Sequence, residues 1–286
     1  MKNDNGVFYD KKFINCGGRL ISLETPLVMG VINVTPDSFY DGGKHSSDKD
    51  ILNSVGRMIE AGVSIIDVGA YSTRPKASDI SIEEEKQRLL PAIKLIRSNY
   101  PEAVISADTF RASVAADAIK EGAMIINDIS CGTMDDTMFE TIAQYNVPYI
   151  MMHIQGTPQN MQDNPVYKDI VIDIMDYFIP KLDKLKLMGV NDIIIDPGFG
   201  FGKSLEQNYE LLKKLYLLKM LDCPICCGFS RKSMINKVIG TRPSEALNGT
   251  TVLNTLALLQ GANILRVHDV KEVIEAIKIV NYYQKA

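Results

Sequence analysis

The residues best able to do chemistry in this chain lie at, or just beyond, the ends of short apolar runs. They are two amides, two carboxylates and three basic groups: Asn33, Asn127, Asp108, Asp196, Lys232, Arg266 and His268. An amide together with carboxylates can recognise a flat heterocycle with donors and acceptors, such as a 2-amino-4-oxo pyrimidine edge. Basic groups on the same rim suit a phosphorylated or pyrophosphorylated substrate. The pattern therefore predicts a site for a flat ring with an anionic tail.

The acidic residues are open to more than one interpretation. Asp108 and Asp196 could each be a general base, a metal ligand or a recognition group, and Asp128 adds a third acid beside Asn127. Each could also simply cap a turn. An amide beside acids at successive strand ends favours recognition of a ring.

Two loops add polar groups to the predicted rim. Asn33 offers a neutral oxygen that suits Mg²⁺ held together with substrate phosphate, although it could instead cap its turn. The loop that follows is predicted to be a polar lid and contains Asp37, Ser38 and Asp41. Arg74 precedes a proline, which restricts its backbone and helps to aim its guanidinium at an anion; as an exposed arginine it could equally be only solvated.

Two short motifs could be mistaken for better-known sites. The glycine-rich stretch from Asp196 to Lys203 has the spacing of neither a dinucleotide fingerprint nor a Walker A loop, and we expect Phe199 or Phe201 to form an aromatic wall there. Cys223 and Cys226 have a C-x-x-C spacing, which could indicate zinc or redox chemistry. Because no second pair completes a zinc set, the spacing favours buried thiols.

Eight apolar runs must position these side chains, and a segment of helical character separates each consecutive pair. The runs are Leu27–Ile32, Ile65–Val68, Val104–Ser106, Met124–Ile126, Val147–Met152, Ile193–Ile195, Ile225–Cys227 and Ile264–Val267. Continuous apolar strands in strict alternation with helices indicate a parallel sheet covered on both faces. An open doubly wound sheet would fit the same order, but eight repeats with polar strand ends favour an α/β fold of the (β/α)8 TIM-barrel type.

The N-terminal segment has a different pattern. Phe8–Ser22 contains two modest apolar stretches around Gly17-Gly18, which predicts a short N-terminal β-hairpin that caps the bottom of the barrel. The predicted organisation is an extension over residues 1–26 and a single (β/α)8 domain over residues 27–286. A barrel of this type takes about 250 residues, so the length fits.

Three helices carry specific predictions. The sequence Ser81-Ile-Glu-Glu84 predicts a capping box that opens a helix running toward Ser98. The helix predicted over residues 169–188 contains Pro180, which predicts a kink or a break. A single helix is predicted over residues 204–220.

Composition excludes several classes of protein. The net charge of −4 gives no electrostatic footprint for nucleic acid, and no run reaches the roughly 20 apolar residues of a membrane span. The polar N-terminal sequence lacks the apolar core of a secretion signal, and five cysteines do not suit a disulfide framework. We therefore predict a cytoplasmic protein with no nucleic-acid or membrane partner.

Several segments, taken in order, resemble bacterial dihydropteroate synthase, the folate-biosynthesis enzyme that sulfonamides inhibit. The matching segments are Val31–Phe39, Asp67–Pro75, Ile126–Ser130, Met152–Met161, Asp196–Gly202, Gly228–Ser233 and Arg266–His268. They span roughly residues 27–270 and are jointly specific. Ala70-Tyr71 replaces a Gly-Glu pair common in the family, and Cys131 stands where Gly is frequent, so the sequence departs from the family only beside the binding positions.

The resemblance implies a transferase that condenses 6-hydroxymethyl-7,8-dihydropterin pyrophosphate with p-aminobenzoate. Asp108, Asn127, Asp196 and Lys232 match the family's pterin-binding positions, Asn33 its Mg²⁺ position, and Arg266 and His268 its pyrophosphate contacts. The p-aminobenzoate region is matched by Thr73, Arg74, Phe199 and Ser230. The family also implies a homodimer built on the late helices.

The implied mechanism assigns catalytic roles to Asp108, Lys232, Arg266 and His268. The basic groups and Mg²⁺ would stabilise departing pyrophosphate while the carboxylates compensate a cationic ring. Two alternatives stay open. One is an enzyme like the methyltetrahydrofolate:corrinoid methyltransferases, which share pterin recognition by Asp and Asn. The other is a pterin-binding protein that has lost catalysis.

Overall fold

The computed structural model describes residues 11–34, 44–72, 79–161, 163 and 165–286. Two predicted binding residues, Thr73 and Arg74, lie outside the described residues. The predicted lid with Asp37, Ser38 and Asp41 also lies outside them.

The eight predicted apolar runs form the strands of one parallel sheet. The strands are β3 (Leu27–Asn33), β4 (Ile65–Gly69), β5 (Ile105–Asp108), β6 (Ile125–Asp128), β7 (Tyr149–Met152), β8 (Ile193–Asp196), β9 (Cys226–Cys227) and β10 (Ile264–Val267). The sheet order is β8-β7-β6-β5-β4-β3-β10-β9. A parallel bridge between Ile195 and Ile225 joins the two ends of the sheet. The sheet is therefore a nearly closed barrel, which confirms the predicted fold and excludes the open doubly wound alternative.

Helices surround the barrel and alternate with its strands. They are α1 (Lys44–Ala61), α2 (Ile82–Asn99), α3 (Ala112–Lys120), α4 (Met138–Tyr145), α5 (Ile170–Leu187), α6 (Leu205–Lys213), α7 (Ser233–Ile239), α8 (Leu247–Leu259) and α9 (Val270–Lys285). The main core lies between these helices and the outer face of the strands. None of the helices among the described residues is long and apolar enough to cross a bilayer.

Of the three helix predictions, the N-cap at Ser81 holds, whereas the break at Pro180 and the single helix over residues 204–220 do not. Ser81 caps α2, because its hydroxyl accepts a hydrogen bond of 3.1 Å from the backbone N–H of Glu84. Helix α5 runs through Pro180 without a break, since this proline is exposed and water can satisfy the carbonyl that it leaves unpaired. The helix predicted over residues 204–220 ends at Lys213 and continues as a 3₁₀ segment, Leu215–Leu221, which a left-handed Asp222 ends.

The predicted hairpin closes the N-terminal end of the barrel. It consists of β1 (Phe13–Cys16) and β2 (Arg19–Ser22), and Gly17 and Gly18 supply the positive φ angles of the turn, 62° and 88°. Ile14 and Cys16 face inward and are fully buried. They pack on the first inward-facing side chains of the strands: Met29, Ile65, Ile125, Ile150, Ile194, Cys226 and Ile264. This end of the barrel is therefore an apolar plug.

Candidate active site

The opposite, C-terminal end of the barrel holds a cluster of charges around one arginine. Arg266 on β10 donates from Nε to Oδ2 of Asp67 at 2.7 Å and from Nη2 to Oδ2 of Asp108 at 2.6 Å. Asn127 on β6 donates from Nδ2 to the same oxygen of Asp67 at 3.2 Å. Two predicted site residues, from β6 and β10, thus share one carboxylate on β4, and Arg266 joins a third, Asp108 on β5, to the same cluster.

Burial and charge act against each other in this cluster. Burial raises the pKa of Asp108 to about 7, and the Arg266 guanidinium opposes that rise. Burial by itself would lower the pKa of Arg266, but Asp67 and Asp108 raise it above its usual value. Arg266 therefore remains a cation, and Asp108 is the group that can change charge near neutral pH.

Asp67 is the functional residue that the sequence analysis missed. It stands inside the apolar run of β4 and is fully buried. One of its oxygens accepts from Arg266 and Asn127, while Oδ1 has no hydrogen-bond partner among the described residues. The signal was present in the sequence, because a carboxylate in the middle of a buried strand requires a cation to compensate it.

The end of β4 is shaped to leave room for the cluster. Gly69 pairs in register with Asp108 on β5. A Cβ atom at Gly69 would lie 3.3 Å from the Asp108 side chain, which is closer than such contacts normally allow. The glycine therefore lets the Asp108 carboxylate lie flat against the strand and reach Arg266.

Asp196 and Lys232 lie beside this cluster, on the β8 and β9 side of the mouth. The backbone N–H of Gly198 donates to Oδ1 of Asp196 at 2.7 Å. Burial raises the pKa of Asp196, and the positive charges of Lys232 and Arg266 oppose that rise. The charge state of Asp196 therefore depends on both basic groups. Burial lowers the pKa of Lys232 to about 8, with Asp196 opposing the change.

The glycine-rich loop after β8 supplies the contacts of Lys232. Its Nζ donates to the carbonyl oxygen of Phe199 at 2.6 Å and lies 4.8 Å from the centre of the Phe201 ring. The Phe199 ring itself is fully buried and packs against Phe229 in a tilted arrangement, with ring centres 4.5 Å apart. Of the two phenylalanines expected to form an aromatic wall, Phe201 is therefore the one whose ring lies beside Lys232, and the match of Phe199 to the p-aminobenzoate region stays a prediction. Phe199 contributes its carbonyl to the mouth, and Phe201 contributes the aromatic ring.

The loops after β9 and β10 meet through a histidine and a serine. The Nδ1 of His268 lies 2.9 Å from the hydroxyl oxygen of Ser230, and the His268 backbone N–H also contacts that oxygen at 3.3 Å. Next to them Arg231 forms an ion pair of 2.8 Å with Asp269. Of the three basic groups predicted to hold an anionic tail, Lys232 and His268 thus lie on two adjacent loops, and Arg266 lies on β10.

Asn33 is the last residue of β3 and is half-buried. It pairs in register with Gly69, which in turn pairs with Asp108, so it lies at the same level of the barrel as the charged cluster. The amide oxygen of Asn33 can supply one neutral ligand to a metal ion. Within the described ranges no group of three or more His, Cys, Asp or Glu side chains could hold a metal ion by itself.

Asp128, the third acid of the predicted rim, has a structural role. Its carboxylate accepts from the backbone N–H and the hydroxyl of Ser130, from the backbone N–H of Gly132 and from the hydroxyl of Tyr149, at 2.6–2.8 Å. All of these partners belong to its own loop or to the neighbouring strand. The capping interpretation is therefore correct for Asp128, and the recognition interpretation is wrong.

The buried cysteine interpretation also fits the structure. Cys226 and Cys227 form β9 and are both buried. Burial raises the pKa of both thiols well above the ordinary value, which makes them poor nucleophiles. They are therefore part of the barrel wall.

Known proteins resemble this chain along most of its length. The family described as pterin-binding enzymes matches residues 29–268. The dihydropteroate synthase of Escherichia coli is 43% identical over 265 residues, which cover 92% of this chain and 93% of that protein.

Solved structures of the same kind superpose closely. The dihydropteroate synthase of Yersinia pestis, in complex with a sulfonamide drug, matches with a TM-score of 0.90 at 38% identity and covers 96% of this chain and 100% of its own. The dihydropteroate synthase of Xanthomonas albilineans, with 4-aminobenzoic acid, has a TM-score of 0.89 at 34% identity and covers 96% and 99%.

Proposed function

We propose that this chain joins 6-hydroxymethyl-7,8-dihydropterin pyrophosphate to p-aminobenzoate. The chain belongs to the family of pterin-binding enzymes and is a transferase of the dihydropteroate synthase type. The products are 7,8-dihydropteroate, an intermediate of folate synthesis, and pyrophosphate. The observation that carries this proposal is the charged cluster in the barrel mouth, where Arg266 joins Asp67 to Asp108.

The pterin ring is proposed to bind between the carboxylates and Lys232. Its pyrimidine edge carries adjacent N–H donors, which a buried carboxylate such as Asp196 accepts. Asn127 has both an N–H₂ donor and a carbonyl acceptor and therefore suits the mixed donors and acceptors of the rest of the ring. Lys232 has only donors and suits the ring carbonyl. The burial of these groups supports the proposal, because a buried polar group without a partner is costly.

The second substrate is proposed to enter from the side of Ser230. Ser230 lies on the rim next to His268, and Phe201 provides the aromatic surface there. Thr73 and Arg74, which lie outside the described residues, belong to this proposal through the family resemblance. The Xanthomonas albilineans relative solved with 4-aminobenzoic acid supports this choice of substrate.

The order of bond changes follows from the chemistry of the ring. An electron-rich dihydropterin stabilises positive charge on its exocyclic methylene, so the C–O bond to pyrophosphate can break ahead of amine attack. Arg266 and His268 would stabilise the departing pyrophosphate, while Asp108 and Asp196 compensate the cationic ring. The amine nitrogen then forms the C–N bond and loses one proton. These are electrostatic roles, and no covalent intermediate on the protein is required.

Mg²⁺ is proposed to arrive with the pyrophosphate. Mg²⁺ usually keeps several waters and takes few protein ligands in addition to substrate phosphates, and the single amide oxygen of Asn33 fits such a donor set. When bound, the ion would neutralise charge on the leaving pyrophosphate. Asn33 would orient the tail, and Asn33→Ala should raise the Mg²⁺ concentration needed for half-maximal activity.

The two alternatives are less well supported. The relatives described above are dihydropteroate synthases, not corrinoid methyltransferases. A pterin-binding protein without catalysis would have no departing pyrophosphate to stabilise, which is the role that Arg266 and His268 suit at this mouth.

A homodimer is part of the proposal. Large apolar side chains are exposed on the last three helices: Val238, Ile239, Leu247, Val252, Leu256, Leu259, Ile279, Tyr282 and Tyr283. Such a surface suits an interface between two copies, since large exposed apolar patches mark contact sites. Light scattering should give twice the chain mass, and Leu256→Glu should reduce it to the mass of one chain. A cytoplasmic location stays a prediction.

The direct test of the proposed function is pyrophosphate release. The protein is incubated with the pterin pyrophosphate, with and without p-aminobenzoate and with and without Mg²⁺. We expect pyrophosphate release to require the pterin pyrophosphate, p-aminobenzoate and Mg²⁺, and to be accompanied by formation of dihydropteroate. Tight pterin binding with no release would favour the non-catalytic alternative, and methyl transfer from methyltetrahydrofolate to a corrinoid protein would favour the other.

A further inference from the structure

Lys203 is a buried lysine that the proposed chemistry does not use. It follows the glycine-rich loop after β8, and only 3% of it is exposed. Its Nζ donates to the carbonyl oxygens of Gly198 at 2.8 Å and Phe201 at 2.9 Å. The third neighbour is Nδ1 of His153, at 3.0 Å. Three acceptors match the three N–H donors of an ammonium group.

His153 is in the state that this arrangement needs. It follows β7, and burial, aided by the Lys203 charge, lowers its pKa to about 2. The imidazole is therefore neutral. Burial lowers the pKa of Lys203 well below its usual value, with the charge of Asp196 opposing the change, and the three acceptors around its Nζ favour the charged form. As an ammonium Lys203 only donates, so Nδ1 of His153 accepts and the ring proton lies on Nε2.

The loop is also packed tightly against the chain that follows β7. A Cβ atom at Gly198 would lie 2.0 Å from the carbonyl oxygen of His153, and one at Gly202 would lie 2.7 Å from that of Gln155. Both glycines have positive φ angles, 70° and 58°. Lys203 lies at the centre of this contact and holds the carbonyls on both sides of Phe199 and Gly200.

The same loop contacts two of the proposed pterin-binding residues, Asp196 and Lys232. The N–H of Gly198 contacts the Asp196 carboxylate, while the carbonyl of Gly198 contacts Lys203. The carbonyl of Phe199, one residue later, accepts from Lys232. A rotation of either peptide would therefore move a hydrogen bond of Asp196 or of Lys232.

We infer that Lys203 is a positioning residue for the pterin ring, whose ammonium fixes the loop after β8 so that Asp196 and Lys232 keep their orientation. This inference rests on the proposed function. Lys203 does not touch the substrate. It acts through the peptides of Gly198 and Phe201, and its effect is therefore on recognition of the pterin and not on p-aminobenzoate.

The test compares Lys203→Met with Lys181→Met. Methionine keeps the length of the lysine side chain and removes its donors. The matched control is Lys181, a half-buried lysine on α5, whose Nζ donates to the carbonyl oxygen of Tyr177 and lies 3.4 Å from the centre of the Tyr177 ring. Lys203→Met should weaken binding of the pterin pyrophosphate about 10- to 100-fold, the factor that small misplacements of binding groups cause. The KM for p-aminobenzoate, at saturating pterin, should change by less than about threefold in either variant.

A second pair of variants keeps the test decisive if Lys203→Met does not fold. His153→Asn retains an acceptor near the position of Nδ1, whereas His153→Leu removes it. The Asn variant should bind the pterin substrate as the parent does, and the Leu variant more weakly. Equal pterin binding by the parent and Lys203→Met, or by His153→Asn and His153→Leu, would overturn the inference. Failure of the parent protein to bind the pterin pyrophosphate would instead overturn the proposed function.

Discussion

The two ends of the barrel use the same strands for opposite purposes. At the N-terminal end, Ile65 on β4 packs among apolar side chains under the hairpin. Two residues later on the same face, Asp67 binds Arg266. One end buries hydrocarbon, which stabilises the fold by roughly 1.5–3 kcal/mol for each large side chain. The other end buries charge, which costs stability unless every charge is compensated. On β4, β6, β8 and β10 a residue of the apolar plug and a residue of the charged site are thus only two positions apart.

The largest effect is expected from Arg266→Ala. The change leaves Asp67 and Asp108 buried without their cation, which should cost about 3–5 kcal/mol of stability at neutral pH. It should also weaken binding of the pterin pyrophosphate, as calorimetry can measure. Arg97→Ala is the control at the other end, because Arg97 donates to the carbonyl oxygens of Pro101 and Gly122. Unchanged pterin binding in Arg266→Ala would remove Arg266 from its proposed role.

The next effect should appear in the apolar plug and leave chemistry intact. Ile14→Ala removes a fully buried side chain of the hairpin and should lower the free energy of unfolding by about 2–4 kcal/mol. Leu20→Ala, in the same hairpin but 66% exposed, should have little effect. Denaturant unfolding and steady-state kinetics check both. A changed KM for either substrate in folded Ile14→Ala would show that the two ends are coupled.

Asp196→Asn tests a single residue at the chemical end. The amide keeps the shape but replaces a charged acceptor, so pterin binding should weaken by about 1.5–3 kcal/mol, or roughly 10- to 150-fold. The Mg²⁺ requirement should stay the same. Asp192→Asn, just before the first residue of the same strand, removes a surface ion pair with Lys11 and should leave pterin binding unchanged. Equal losses in both variants would contradict the assignment of Asp196.

The pH dependence of kcat/KM for the pterin substrate should reflect groups at the charged end of the barrel and none in the apolar plug. The pKa of Asp108, raised by burial to about 7, makes this group anionic above that pH, and the pKa of Lys232, lowered by burial to about 8, makes it cationic below that pH. If both charges are needed, kcat/KM for the pterin substrate should be greatest between about pH 7 and 8, and should change about tenfold per unit outside that window. Asp108→Asn should abolish the acidic limb, and a persistent acidic limb would assign it to another group.

The sequence predicted the strands and their polar ends well, because a parallel strand buried on both faces is a short continuous apolar run. It could not decide which way each polar side chain points. Successive side chains on a strand face opposite sides, so Asn127 reaches the barrel interior while Asp128, the next residue, caps its own loop. Phe199 and Phe201 could not be assigned for a related reason, since loop geometry placed one ring in the core and the other at the mouth.

Asp67 shows what a better prediction would require. Its position in the middle of β4 indicated a buried carboxylate, but its partner lies 199 residues further along the chain. The pairing follows from closure of the barrel, which brings β10 next to β3 and so within reach of β4. When a carboxylate lies inside an apolar run, its partner should therefore be sought among basic residues of other strands whose side chains face the barrel interior.

Arg231 sits in a left-handed backbone conformation, with φ of 60°, and its guanidinium holds Asp269 on the adjacent loop. A non-glycine residue bears a conformational strain of about 1 kcal/mol there. Glycine would relieve the strain and loosen the junction between the two loops at the same time. Arg231→Gly should therefore change the free energy of unfolding little and lower the affinity for pyrophosphate. One residue thus sets a trade-off between the stability of the protein and its retention of the product.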